Sequence, residues 1–418
     1  MPEIIIDVSR LVSRRIRKRL PTGIDRVGLA YIRYYLNRAS AALCVGDRAM
    51  ILPPTQSRRL FEELLADSDG DASGFLRVVA AGIARAPFPA LRTSLRSETT
   101  GRWFLNTGHT GLDRPAYEEM LSALGVRPLY VIHDLIPITH PQYCRRSEGV
   151  HHVARITRAL KTGAAVVCNS RSTADILAGF AGRIGSSLPP MTVAPLGAEQ
   201  PDALRLAQIR ERPPIEDAYF LMLGTIEPRK NHLLMLQVWQ RLMAIHGART
   251  PKLVLIGQRG WECEHVERML ERAPGLRDVV LRPERCGDRS LQAWIAHARA
   301  LLFPSFAEGF GLPVIEALQL GVPVIASDLP VYREFAGSLP EYLDPLDAAG
   351  WLVAIDDYAA SDSRRRAQRL RTLAGYRAPT WAEHFTRVDA LMHRAGGKTT
   401  PRSASSDALA VPEIAVDA

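Results

Sequence analysis

Phe306-Ala-Glu-Gly-Phe-Gly-Leu-Pro-Val-Ile-Glu-Ala317 is the stretch on which the reading of this chain turns. It follows an apolar run, Leu301-Leu302-Phe303, that reads as a strand. Gly309 and Gly311 permit backbone conformations that side chains block, bringing N–H groups close to a ligand. Pro313 has its φ preset for a helix start, and Gly321 stands where a helix C-terminus puts it. A strand, a glycine-hinged loop and one short helix are predicted, with Glu308 opening the loop and Glu316 in the first helical turn. Two carboxylates so placed can converge on one polyhydroxylated ligand, and a nucleotide sugar suits them. Unpaired N–H groups at the helix start favour an anion such as a diphosphate. Glu316 either accepts hydrogen bonds from a ribose diol or merely stabilises the helix dipole.

Outward from this stretch, short apolar runs alternate with helical patterns, as in a parallel α/β sheet. Residues 3–7, 128–132, 164–168 and 191–194 are strand candidates in the first half, and residues 219–223, 252–256, 278–281, 300–303 and 323–326 in the second. Two sheets wound with helices are expected. Between them, the stretch from Leu196 to Arg212-Pro-Pro-Ile215 lacks periodicity and is rich in proline, which marks a boundary. The predicted organisation is a first domain over residues 1–198, a linker over 199–214, a second domain over 215–378, a helix over 379–395 and a small, polar, disordered tail over 396–418. Residues 59–102 carry no decisive pattern; acceptor-facing helices are one reading.

Composition is that of a soluble globular chain: 418 residues, 47% hydrophobic and 23% charged. No run approaches about 18 consecutive apolar residues, so no membrane span is expected. The start, Met-Pro-Glu-Ile-Ile-Ile-Asp7, does not look like a secretory signal, and a cytoplasmic location follows as an expectation. Five scattered cysteines without a C-x-x-C pair indicate neither a disulfide framework nor zinc. A net charge of +9 is concentrated partly in Arg14, Arg15, Arg17, Lys18 and Arg19. That run is either a solvated face or a patch that meets anionic lipid headgroups or a lipid diphosphate. No nucleic-acid-binding pattern accompanies it.

Arg229 and Lys230 follow the strand 219–223 through Gly224, at the carboxyl edge where α/β sheets bind ligands. Two cations there can offset charge on a departing diphosphate. His133 likewise follows an apolar strand. Glu308 and Glu316 resemble the E-x7-E signature of retaining glycosyltransferases of family 4, which have the GT-B fold. Four further segments are similar to that family: Gly224-Thr-Ile-Glu-Pro-Arg-Lys-Asn-His232, His133-Asp-Leu-Ile-Pro137, Pro21-Thr-Gly-Ile-Asp-Arg-Val27 and Val193-Ala-Pro-Leu-Gly197. The resemblance implies two Rossmann-like domains around a cleft, with the helix 381–392 crossing back onto the first. It implies donor binding by Gly23, Gly224, Arg229, Lys230, Glu308, Gly309, Phe310, Gly311, Leu312 and Glu316. Glu308 would meet sugar hydroxyls, Glu316 the ribose, and His133 the sugar and reacting centre. Catalysis would rest on His133, Glu308, Arg229 and Lys230, with neither metal nor resident cofactor.

The implied function is retaining transfer of a sugar from a nucleotide diphosphate to a growing surface polysaccharide or lipid-linked glycan. The wording of the motifs is closest to mannosyltransferases, which makes GDP-mannose the expected donor, ahead of dTDP-rhamnose or a UDP-sugar. A GT-B epimerase or hydrolase, and a non-catalytic sugar-nucleotide or polyanion binder, are the alternatives. Arg26 can bind phosphate or acceptor, or be an exposed helix residue. Asn106-Thr-Gly-His-Thr-Gly111 reads as a turn or as cleft lining. Three resemblances are rejected. Asp67–Asp71 has Ala72 where a calcium loop needs glycine, His151 and His152 diverge on a helix, and no G-x-G-x-x-G follows the first strand.

Overall fold

The apolar runs become strands buried on both faces, because helices cover each sheet on both sides. The computed structural model describes residues 3–45, 48–66, 72–85, 99–198, 209, 212–283 and 286–396. The first sheet holds β1 (Ile4–Asp7), β2 (Ala39–Val45), β3 (Arg48–Ile51), β4 (Trp103–Asn106), β5 (Arg127–Ile132), β6 (Ala165–Cys168) and β7 (Met191–Val193). Their spatial order is β3-β2-β1-β4-β5-β6-β7. Only its edge pair β2/β3 is antiparallel. The second sheet is parallel throughout, with β8 (Tyr219–Leu223), β9 (Lys252–Ile256), β10 (Val280–Leu281), β11 (Leu301–Phe303), β12 (Val324–Ser327) and β13 (Glu341–Leu343) in the order β10-β9-β8-β11-β12-β13. Strand order reverses between β1 and β4 and again between β8 and β11. Ligand crevices open beyond the carboxyl ends at such points.

Two expectations shift. Residues 278–281 yield only the two-residue β10, because Gly275, at φ +72°, turns the chain into a short helix, Leu276–Val279. In the uncommitted stretch 59–102, the helices Pro54–Leu65 and Ala72–Arg85 send Leu60, Phe61, Leu64, Phe75 and Val79 into the first domain's core, so those faces cover the sheet rather than meet an acceptor. Asp67–Asp71 and residues 397–418, read as tail, lie outside the described residues, as does most of the linker. Gly396 still belongs to the last helix.

That helix, Trp381–Gly396, crosses back onto the first domain. Phe385 stacks on Tyr34 with centroids 4.0 Å apart, and Asp389 accepts hydrogen bonds from Tyr34 and Tyr35. Gly197 lets the helix in: a Cβ there would stand 2.2 Å from the Trp381 nitrogen. His384 is locked as a neutral imidazole. Its Nδ1–H is shared between the carbonyls of Ala194 (3.0 Å) and Pro195 (3.1 Å), and Nε2 accepts from the Tyr31 hydroxyl (3.0 Å). Burial holds its pKa down at about 4, and that of buried His232 at about 3.

An unfolded histidine takes up its proton near pH 6.5. Below that pH the unfolded chain therefore binds protons that the folded one refuses, and stability falls as pH drops from about 6.5 towards the depressed values. Denaturant midpoints are expected to be level from pH 7 to 8 and to decline steadily from about pH 6.5 to 4. A midpoint unchanged at pH 5 would show that these histidines are charged in the native state.

Candidate active site

Glycine decides how the loop after β11 is built. Gly311, at φ +107°, caps the helix Leu312–Gln319, which starts one residue before Pro313. Glu316 therefore lies in the second helical turn, not the first, because the helix begins at its cap and not at the proline. There the helix dipole no longer accounts for the carboxylate, since that effect fades within the first turn. Gly309 docks on the other domain: a Cβ would stand 2.2 Å from the His133 carbonyl oxygen, and the Gly309 carbonyl accepts from Ser170 Oγ at 3.1 Å. Only a backbone without a side chain fits between them. Phe310 and Leu312 point away into apolar packing, Phe310 against Phe335 at 4.7 Å, so only their backbones can meet a ligand.

Glu308 is held by both expected cations. Arg229 Nη1 lies 2.8 Å from its Oε2, and Lys230 Nζ donates to its Oε1. The cations sit on a single 3-10 turn, Pro228–Lys230, just beyond β8. Gly224, at φ +135°, leaves the passage that the Lys230 stem fills, and the ammonium lies 4.5 Å over the Phe303 ring. Arg229 also donates from Nε (3.0 Å) and Nη2 (2.7 Å) to Glu227 Oε1, and from Nη1 to the Ala307 carbonyl (2.6 Å).

Burial pushes the Glu308 carboxyl up, but the charges of Arg229 and Lys230 outweigh it and hold the pKa at about 2. Burial lowers Lys230 and raises Glu227. Two cations and two carboxylates thus share one shielded cluster of zero net charge. Glu227 was missed as a site residue from sequence. Its signal was an acid two positions before Arg229, inside an already recognised motif.

On the facing domain, the His133 ring nitrogen Nε2 lies 2.7 Å from the Thr107 carbonyl oxygen and can only donate to it. Burial lowers its pKa, so the ring is neutral with Nδ1 left as acceptor. His109 and His152 behave alike, bonded to the carbonyls of Val131 (2.7 Å) and Asp134 (3.1 Å), with ring centroids 5.4 and 5.7 Å apart from His109 to His133 and His152. The segment Asn106–Gly111 is thus a turn whose Thr107 carbonyl fixes His133. His151 does diverge from buried His152 and pairs at the surface with Asp113.

Gly23 starts the helix Gly23–Tyr35 and faces the loop: a Cβ there would lie 3.9 Å from Leu312 Cδ1. One turn on, Arg26 pairs with Glu316 across the cleft. In the basic run, Arg14 turns inward to Asp25 (2.7 Å), because that buried carboxylate also pairs with Arg10 (2.7 Å) and needs cations. Arg17, Lys18 and Arg19 remain exposed, flanked by exposed Ile16 and Leu20. Tyr143 and Phe306 stack across the domains at 4.8 Å, two residues from Glu308.

Two doubly wound domains, linked by a returning C-terminal helix and meeting at the carboxyl ends of their strands, define the GT-B fold. The chain superposes with a TM-score of 0.60 on the Anabaena protein HepE, solved with UDP and glucose, at 14% identity over 94% of this chain and 97% of that one. It does so equally, at 0.60 and 14%, on an alpha,alpha-trehalose-phosphate synthase of Burkholderia vietnamiensis, over 96% and 100%. Residues 217–363 match the family model of the glycosyl transferases group 1, which bears out the resemblance read from the E-x7-E stretch. Curated relatives include the serotype-specific mannosyltransferase WbdA of Escherichia coli, 29% identical over 58% of this chain and 31% of the relative. Another is the O-antigen chain mannosyltransferase B of the same organism, 37% identical over 41% and 44%. The chain thus spans under half the length of these relatives.

Proposed function

We propose that this protein is a retaining glycosyltransferase that moves mannose from GDP-mannose to a hydroxyl of a growing surface polysaccharide or lipid-linked glycan. The observation that carries this reading is Glu308, held between Arg229 and Lys230 on a loop that docks at His133. The cations offset charge on the departing diphosphate without a metal. Glu308 takes sugar hydroxyls, and neutral His133 offers Nδ1 as an acceptor to the same sugar. A donor phosphate oxygen receives the proton of the incoming hydroxyl, so the protein works by positioning and charge. Mannose is favoured by the names of the relatives, one a serotype-specific mannosyltransferase and another an O-antigen chain mannosyltransferase.

Calorimetric titration with GDP, UDP, dTDP and their common sugars, in chelator, tests the donor. Selective binding of GDP and GDP-mannose is expected; binding of another nucleotide alone would replace the donor, and binding of none would overturn the reading. The acceptor reading extends to peripheral contact with anionic membrane through Arg17, Lys18 and Arg19, with Ile16 and Leu20 as the apolar side chains among them. No helix among the described residues is long and apolar enough to cross a membrane. Reversing these three charges is expected to abolish sedimentation with anionic vesicles while GDP binding persists. Unchanged sedimentation would sink the membrane contact.

A further inference from the structure

Glu316 already has a partner, and that partner comes from the other domain. Arg26 Nη2 donates to Glu316 Oε1, and both side chains are well shielded, at 24% and 12% exposure. While the guanidinium holds Oε1, a ribose diol has to share that oxygen with it, and each contact is the weaker for being shared. Expelling Arg26 without compensation takes an ionic contact from a well-shielded cation, which is costly. A ligand that brings its own anion beside its diol removes that cost, since each member of the broken pair finds a new partner.

The neighbouring cations point the same way. Arg229 and Lys230 are already held by Glu308 and Glu227, so a diphosphate meets them only by drawing them away from those carboxylates. Gly23, one turn before Arg26, faces the start of the helix that carries Glu316. Arg26 is therefore a cation of the opposite domain already placed at the rim of the nucleotide seat.

We infer that Arg26 is a nucleotide-binding residue that exchanges Glu316 for the donor diphosphate, and that the Arg26–Glu316 pair screens the ribose seat against uncharged nucleosides and polyols. This rests on the nucleotide-sugar reading above. The exchange makes two favourable contacts from one.

Calorimetry of GDP and of guanosine, on the wild type and on Arg26→Gln and Arg26→Lys, tests it. Arg26→Gln should weaken GDP binding roughly ten- to a hundredfold, the range of one charge-assisted hydrogen bond. It should make guanosine binding several-fold tighter, because Glu316 is released, and unchanged guanosine binding would overturn the screen. Arg26→Lys keeps the charge but not the fork, and should fall between for GDP. GDP binding that is unchanged or tighter in Arg26→Gln overturns the inference, since Arg26 would then only obstruct. A wild type that binds no nucleoside diphosphate at all sinks the nucleotide-sugar reading itself, and this inference with it.

Discussion

Glu308→Gln is expected to lower sugar transfer by roughly a thousandfold or more, with GDP still bound. The carboxylate is the point at which Arg229, Lys230 and the loop docked on His133 meet. Losing one preorganised polar contact at a reacting centre typically costs about a hundred- to a thousandfold, and here the change also upsets the balance of the cations. Arg229 keeps Glu227, but Lys230 loses its counter-charge. The freed ammonium no longer has to leave a carboxylate to meet a phosphate, so GDP affinity should hold or rise. Breaking one side of a shielded ion pair also destabilises, by about 3 kcal/mol. Transfer rate, sugar release without acceptor and GDP titration, measured together, separate the alternatives. Near-normal transfer in the variant would remove Glu308 from the reaction. Sugar release without transfer in the wild type would make the protein a hydrolase, and GDP binding without either would make it a binder only.

The site was legible where chemistry is local in sequence. Glycines 309 and 311, the proline after them and the apolar run before them fix the loop, and two adjacent cations after β8 announce themselves. Even there the helix start moved by a residue and put Glu316 one position further in, just into the second turn, because a left-handed glycine cap, not the proline, sets the first helical residue. Partners were not legible. Arg26 and Glu316 are 290 residues apart, and no periodicity relates them. Arg14 looked like its basic neighbours, yet it turns inward because Asp25 is buried and needs it. Strands β2, β4 and β13 escaped for a different reason: Ala39-Ser-Ala-Ala is small, and Trp103-Phe-Leu-Asn and Glu341-Tyr-Leu are too short for alternation to register.

Lys230→Ala should be more severe for binding than the Glu308 change. The ammonium is buried against Phe303 and Gly224, and its contacts are to Glu308, not to solvent. Alanine removes one of the two charges that hold the Glu308 pKa at about 2, so that pKa rises towards the ordinary carboxylate range, as burial alone dictates. GDP affinity is expected to fall roughly ten- to a hundredfold, with transfer lower by about a further hundredfold as the diphosphate departs unassisted. A group with a depressed pKa keeps its charge until the pH drops to that value. In the wild type Glu308 therefore stays ionised through the whole usable range, whereas in Lys230→Ala the acid limb of the residual activity should move up. Lys230→Arg should not restore the wild type, because the passage beside Gly224 admits a slim stem and a compact ammonium rather than a planar fork. The decisive comparison is GDP affinity together with the acid limb. If Lys230→Ala matches the wild type within twofold in affinity and shows the same pH profile, the cation serves only to hold the loop, and the charge-offset mechanism falls with it.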